Sequence, residues 1–260
     1  MLSELVKRIL SACFLLIGLL CLLYFLPKEF ISIVVLLLLL IASFELGRML
    51  KVPNLHIWVS SCSLFYMFSY IAIPLSLFVI NSFICVLLVM SVLVWPKLLS
   101  CYVNKHIEFF YALVCLCFFG VSFSYLWQIS VDLLLVAMAL VWATDIMAFF
   151  IGKLFGKTKC FVPISPNKSL QGVVAGVISA LLVSYLFIPD YLHRYWVLFG
   201  LTAGLFTVFG DLFESLIKRR SGVKDSGSLI PGHGGILDRI DGLILAMPVF
   251  FVEYKIIITL

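Results

Sequence analysis

Apolar residues gather in nine long blocks, at about 9 to 26, 30 to 47, 56 to 74, 76 to 95, 108 to 128, 131 to 152, 172 to 189, 195 to 213 and 243 to 259. Short joints bearing charge, Pro or Gly separate them, and only the Ile73-Pro74-Leu75 region divides the third from the fourth. A stretch of about 17 or more apolar residues, wound as a helix, spans the ~30 Å of a bilayer's hydrocarbon core. Lipid offers the backbone no hydrogen-bond partners, so blocks of this kind satisfy their own amides as helices. The pattern predicts an all-α, polytopic integral membrane protein with about nine transmembrane helices.

Composition agrees. A mean hydropathy of +1.22, with 64% hydrophobic and 12% charged residues, lies far from the roughly one-quarter charged content of soluble domains. Charge then orients the helices. With the N-terminus inside, the inner segments hold Lys7, Arg8, Arg48, Lys51, Lys97, Lys105, Lys153, Lys157, Lys159, Lys168, Lys218, Arg219, Arg220, Lys224 and Arg239, which is 15 of the 18 Lys and Arg. Only Lys28, Arg194 and Lys255 fall outside. Cytoplasmic loops carry the basic excess, so the expected topology has the N-terminus cytoplasmic and the C-terminus outside. The net charge of +5 is thereby concentrated on one face, suited to anionic headgroups and phosphates.

The eight cysteines show no CxxC spacing and read as small hydrophobes. Leu10-Ser11-Ala12-Cys13 has the outline of a lipoprotein cleavage box, but Lys7 and Arg8 stand directly before Ile9, where the preceding apolar region would have to be. The first block reads as a retained helix. No linker or internal repeat interrupts the chain, which divides into an apolar scaffold half, 1–130, and a half carrying polar chemistry, 131–260, within one membrane domain.

Ionisable residues at membrane depth cost several kcal/mol and are normally kept for a pair, a pathway or a site. Here they are Glu45, Asp145, Asp211, Glu214 and Glu253. Glu45, three residues before Arg48, reads as an interfacial helix pair, and Glu253 with Lys255 as side chains reaching for the outer interface. Asp211, Ser215 and Lys218 stand at i, i+4 and i+7, on one face of a helix leaving the membrane, with Glu214 beside them. After Arg219 and Arg220 the small residues of Ser221–Gly227 end that helix. The loop Pro231-Gly232-His233-Gly234-Gly235 leads into Leu237-Asp238-Arg239-Ile240-Asp241, where Asp238 and Asp241 would lie side by side on a new helix.

Carboxylates are hard ligands for Mg²⁺, which binds through one or two of them plus substrate phosphates. Lys and Arg offset charge on phosphate oxygens and on a pyrophosphate leaving group. Glycines let backbone N–H groups approach phosphate. Taken singly, each of these features has an ordinary alternative: a helix cap, a turn or, for Gly152 and Gly156, a small-residue packing motif.

Over the run from Ser215 to Asp241, including Lys218, Arg219, Lys224, Asp225, Ser226, Gly232, His233, Gly234, Gly235, Asp238 and Arg239, the sequence resembles the signature of the phosphatidate cytidylyltransferase family. Asp145 to Lys157 and Ile164 to Gly172, with Lys168 and Ser169, are similar to that family's other recognisable block. The stretch Gly210-Asp211-Leu212-Phe213-Glu214 preceding Ser215 also looks like that family, and the resemblance covers about 145 to 242. It departs at Asn167, Leu170 and Gln171, where members commonly carry Lys, Trp and Glu, and at Lys153, where Arg is frequent.

The resemblance implies transfer of a cytidylyl group from CTP to phosphatidate, giving CDP-diacylglycerol and pyrophosphate. It assigns Asp211, Asp238 and Asp241 to divalent metal, expected to be Mg²⁺, with a second cation left open. Lys218, Arg219, Lys224, Asp225, His233 and Arg239 become candidate catalytic residues. Lys168, Ser169, Ser215, Ser226, Gly232, Gly234 and Gly235 become substrate contacts, with Asp145 and Glu214 at the margin. Expected partners are CTP, phosphatidate and membrane lipids, with no nucleic acid; a homo-oligomer is admitted. The expected location is a bacterial inner membrane, with the site on the cytoplasmic side, where CTP is found. A transporter for a phosphorylated anion would predict inverted repeats or broken helices, which the sequence lacks, and a CTP-dependent lipid kinase would not explain the full C-terminal signature.

Overall fold

In a computed structural model the protein is described over residues 17–56, 105–162, 164–227, 229 and 234–259, with scattered residues between 59 and 91. Among the described residues six helices are long and apolar enough to cross a membrane. We label them α1 (Ile31–Leu50), α2 (Lys105–Ile129), α3 (Val131–Phe155), α4 (Leu170–Phe187), α5 (Trp196–Arg220) and α6 (Leu237–Thr259). Residues 17–25 are also helical. Among the described residues there are no strands, only an isolated bridge between Lys159 and Ser169. Much of the blocks expected at 56 to 74 and 76 to 95, and the start of the first, 9–16, lie outside the described residues, so an all-helical membrane architecture is what the structure establishes.

Side-chain hydroxyls start two of the helices. Ser130 accepts the Leu133 N–H at the head of α3 and Ser169 the Gly172 N–H at the head of α4, meeting amides that have no partner in the first turn. At the end of α5, the Val223 N–H donates to the Lys218 carbonyl and that of Gly222 to Arg219. This Schellman closure needs a left-handed residue, and Gly222 supplies it at φ +73°.

α2 and α6 form the interior, whereas α4 turns Val174, Ile178 and Leu182 outward, each at least half exposed. Lipid is as apolar as leucine, so helix association there relies on close packing rather than on apolar burial. Small residues provide it between α3, α4 and α5. A Cβ added at Gly172 would lie 2.6 Å from the Ala148 carbonyl oxygen, at Gly176 2.8 Å from that of Thr144, and at Gly200 2.8 Å from the Leu181 Cα. Ser179 Oγ donates across the same seam to the Ala143 carbonyl at 2.9 Å. Gly152 packs on the Gly172 Cα, as the small-residue reading expects, while Gly156 ends α3 against Ser169.

The Glu45–Arg48 pairing expected from sequence does not form. The Arg48 guanidinium lies over the Phe44 ring, and Glu45, at 8% exposure, points inward to the start of α6. Glu253 likewise does not reach for the interface; it accepts a hydrogen bond from Thr202 Oγ1 on α5 at 3.0 Å. In both cases an internal donor outcompetes the route to water.

Candidate active site

α5 and α6 lie close enough that a Cβ on Gly210 would sit 2.5 Å from the Asp241 carbonyl oxygen. The close approach lets the carboxylates of the two helices share one region. On α5, Ser215 Oγ donates to Asp211 Oδ1 at 3.2 Å. One turn on, Glu214 and Lys218 form a buried ion pair. Lys218 Nζ also donates to Asp238 Oδ1 at 2.9 Å, so one ammonium bridges a carboxylate on each helix.

Asp238 is further committed. Its Oδ2 accepts the N–H of Ser226 at 3.0 Å, the hydroxyl of Ser226 at 2.9 Å and the N–H of Gly235 at 2.9 Å. Gly234 takes φ +83°, and a Cβ there would meet the same Oδ2, so glycine is needed both for the turn and for the room. Asp241 faces elsewhere. Its Oδ1 accepts its neighbour Gly242's N–H at 2.8 Å, and its carboxylate lies within electrostatic reach of Asp211 and Asp145. The two carboxylates read as a pair from their spacing therefore serve different neighbours.

The segment between α3 and α4 completes the region. Lys168 Nζ meets Asp211 Oδ2 at 2.6 Å. Arg219 Nε donates to the Ile164 carbonyl at 3.2 Å, tying this segment to the end of α5. Gln171 Oε1 accepts the N–H groups of Lys157 and Thr158, both at 3.2 Å. Its Nε2 donates to Thr158 Oγ1 at 3.3 Å, so the amide holds the turn out of α3 through both of its polar atoms. Asp145, mid-way along α3, is exposed, and its Oδ2 lies 3.3 Å from where a Cβ on Gly242 of α6 would stand.

The expected site residues separate accordingly. Asp145, Lys168, Asp211, Glu214, Ser215, Lys218, Ser226, Gly234, Gly235, Asp238 and Asp241 come together at one end of the bundle. Ser169 lies beside them, but its oxygen caps α4. Lys224, Asp225 and Arg239 are exposed, the first two on the loop that follows α5. Gly232 and His233 lie outside the described residues. Arg220, left out of the expected set, pairs with Glu108 on α2 at 2.6 Å. The residue that sequence reading missed is Glu45, and its signal was present: it lies within an apolar block of the first half, whereas Glu108 stands at the very edge of its own.

Among the described residues no three His, Cys, Asp or Glu side chains are gathered as a ready-made metal cage. The donor set nevertheless fits Mg²⁺, which keeps waters and leans on substrate phosphates. Asp145, Asp211, Glu214, Asp238 and Asp241 outnumber Lys168, Lys218 and Arg239, the last in electrostatic reach of Asp145, by two charges if all are ionised. Such an excess in a poorly solvated place calls for further positive charge. Asp241 and Asp145 have no ion-pair partner within 4.0 Å among the described residues.

A model of the cytidylyltransferase family matches residues 6–257. A phosphatidate cytidylyltransferase of Haemophilus influenzae is 45% identical over 130 residues, which is 47% of this chain and 45% of the relative. One from Staphylococcus aureus strain COL is 39% identical over 145 residues, 53% and 56% of the two chains. One from Thermotoga maritima is 40% identical over 132 residues, 47% and 49%. The chain spans about half the length of the curated relatives it matches.

Proposed function

The chain belongs to the cytidylyltransferase family, and we propose that it makes CDP-diacylglycerol from CTP and phosphatidate, releasing pyrophosphate. The observation that carries the reading is the Lys168–Asp211 contact, which brings the two signature blocks together amid a set of opposed charges.

In the proposed reaction an oxygen of the lipid phosphate forms a bond to the α-phosphorus of CTP. The bond from that phosphorus to the oxygen bridging toward the β-phosphorus breaks, and pyrophosphate departs with the electron pair. The attacking phosphate is already anionic near neutral pH, so its activation needs little help from a base, and His233 is assigned a positioning role. Mg²⁺, held by Asp211 and Asp241 with Asp145 beside them, would offset the charge of the triphosphate and of the leaving group. Asp238 joins them in the resemblance, and its bonds to Lys218, Ser226 and Gly235 make it the anchor of that centre.

Lys224 and Arg239, exposed at the rim, offset the charge that develops on the phosphates as the group is transferred. Lys218 stays among the carboxylates and keeps the like-charged ends of α5 and α6 together, while Lys168, held by Asp211, serves as a phosphate contact. Ser215, Ser226 and the backbone of Gly232, Gly234 and Gly235 orient substrate by hydrogen bonds. The site opens to the cytoplasm at a bacterial inner membrane in a nine-helix topology, where a soluble nucleotide meets a membrane-held lipid. The test is direct: protein purified in detergent, given phosphatidate, labelled CTP and Mg²⁺, should yield a lipid-soluble nucleotide. Label that stays wholly in the aqueous phase would reject the reading.

A further inference from the structure

α6 begins with two backbone N–H groups that lack partners within the helix, and a side chain from the far end of the sequence supplies them. Glu45 Oε1 accepts the N–H of Ile236 at 3.1 Å, and Glu45 Oε2 that of Leu237 at 3.0 Å. Oε2 also faces the Ser226 hydroxyl at 3.4 Å, whose shorter bond runs to Asp238. Local residues usually provide such a cap; here it arrives from α1, across 191 and 192 positions. A carboxylate there also meets the positive end of the helix dipole.

A second, independent feature marks the same contact: the loop is shaped around this carboxyl. A Cβ on Gly227 would stand 3.0 Å from Oε1, and one on Gly235 would collide with Oε2 and with Ser226 Oγ. Two glycines of the motif thus leave room for a residue of the apolar half. The connection then runs from Glu45 through Ser226 to Asp238, and from Asp238 through Lys218 to Glu214.

We propose that Glu45 is a positioning residue for cytidylyl transfer, holding Ser226 and the Gly235–Leu237 start of α6 so that Asp238 and Asp241 stand where the chemistry needs them. This rests on the functional reading above. It does not touch substrate; it acts through the loop. Gln at this position keeps one acceptor oxygen but sets an NH₂ against a backbone N–H, so it should hold the loop only in part.

The test uses the full chain in detergent, as wild type, Glu45→Gln, Glu45→Ala and Gly235→Ala, with Arg48→Ala as the control from the same helix. Hydrogen exchange is followed by mass spectrometry over residues 224–240, and kcat and KM are measured with phosphatidate, labelled CTP and Mg²⁺. Misplacing reacting groups by about 1 Å costs on the order of 10²-fold. Glu45→Ala should lose about that much in kcat with KM for CTP little changed, with faster exchange confined to 224–240. Glu45→Gln should fall between, and Gly235→Ala, which crowds the carboxyl out while leaving α1 intact, should follow Glu45→Ala. Arg48→Ala should match wild type. Unchanged exchange in the folded variants, exchange loosened throughout the protein, or a loosened loop with normal kcat would each overturn the proposal. A wild type that makes no CDP-diacylglycerol sinks the functional reading instead, and the exchange arm still decides whether Glu45 holds the loop.

Discussion

Lys168 and Asp211 meet at 2.6 Å between Nζ and Oδ2, joining the segment before α4 to the body of α5. Both side chains are about a quarter exposed, and pairs of that kind add at most about 1 kcal/mol of stability. Lys168→Ala should therefore lower kcat/KM by about 10²-fold, in line with the ~3 kcal/mol of a preorganised electrostatic contact, while the melting temperature stays put. Lys168→Arg should recover part of the loss. A fall in melting temperature that accounts for all lost activity would make the contact a mere strut.

The carboxylates should divide by what they hold. Asp211→Asn and Asp241→Asn should lower turnover by orders of magnitude in protein that remains monodisperse on size exclusion, because each leaves the helix contacts intact. Asp238→Asn should also cost stability, on the order of 3 kcal/mol, since it disturbs Lys218 and the bonds from Ser226 and Gly235. Near-normal activity in Asp241→Asn would remove that residue from the metal centre.

Basic residues at the same end should separate as well. Lys224 and Arg239 are exposed, and their Ala variants should lose kcat and kcat/KM together, as expected of contacts made chiefly in the transition state. Arg220 pairs with Glu108 across α5 and α2, so Arg220→Ala and Glu108→Ala should each lower the melting temperature and leave kcat alone. Lys51→Ala, exposed at the end of α1, serves as the control. Equal and modest losses in all four Lys and Arg variants would mean a diffuse attraction for anions.

Sidedness is checked by labelling. In a cysteine-free background, Ser165→Cys should react with an impermeant thiol reagent only in inverted membrane vesicles. Tyr191→Cys, in the turn between α4 and α5 and 62% exposed, should react only from the opposite side. The reverse pattern would invert the nine-helix topology.

Much of this architecture was legible because a bilayer imposes one rule on every span. The blocks read at 30 to 47, 108 to 128 and 131 to 152 emerge as α1, α2 and α3. The i, i+4, i+7 spacing placed Asp211, Ser215 and Lys218 on one face, and Ser215 does donate to Asp211. Spacing along a helix says nothing of what stands across from it. Asp238 and Asp241 share a helix edge yet turn to different partners, and Glu45 has Arg48 nearby in sequence but its donors beyond residue 225. Gln171 looked like a lost carboxylate because residue type was read as charge, whereas the turn after α3 uses both ends of its amide, the oxygen as acceptor and the NH₂ as donor to Thr158 Oγ1.

The backbone contacts at Gly172, Gly176, Gly200 and Gly204 leave few side-chain torsions to take up slack between α3, α4 and α5. Interfaces built from long side chains can shear by small repacking steps; a carbonyl resting on a glycine has no such play. The three helices therefore travel as one slab, and Lys168 and Asp211 ride on it at a fixed separation. Under the proposed function a two-tailed lipid would reach Lys168 and Asp211 past an edge of that slab rather than between its helices.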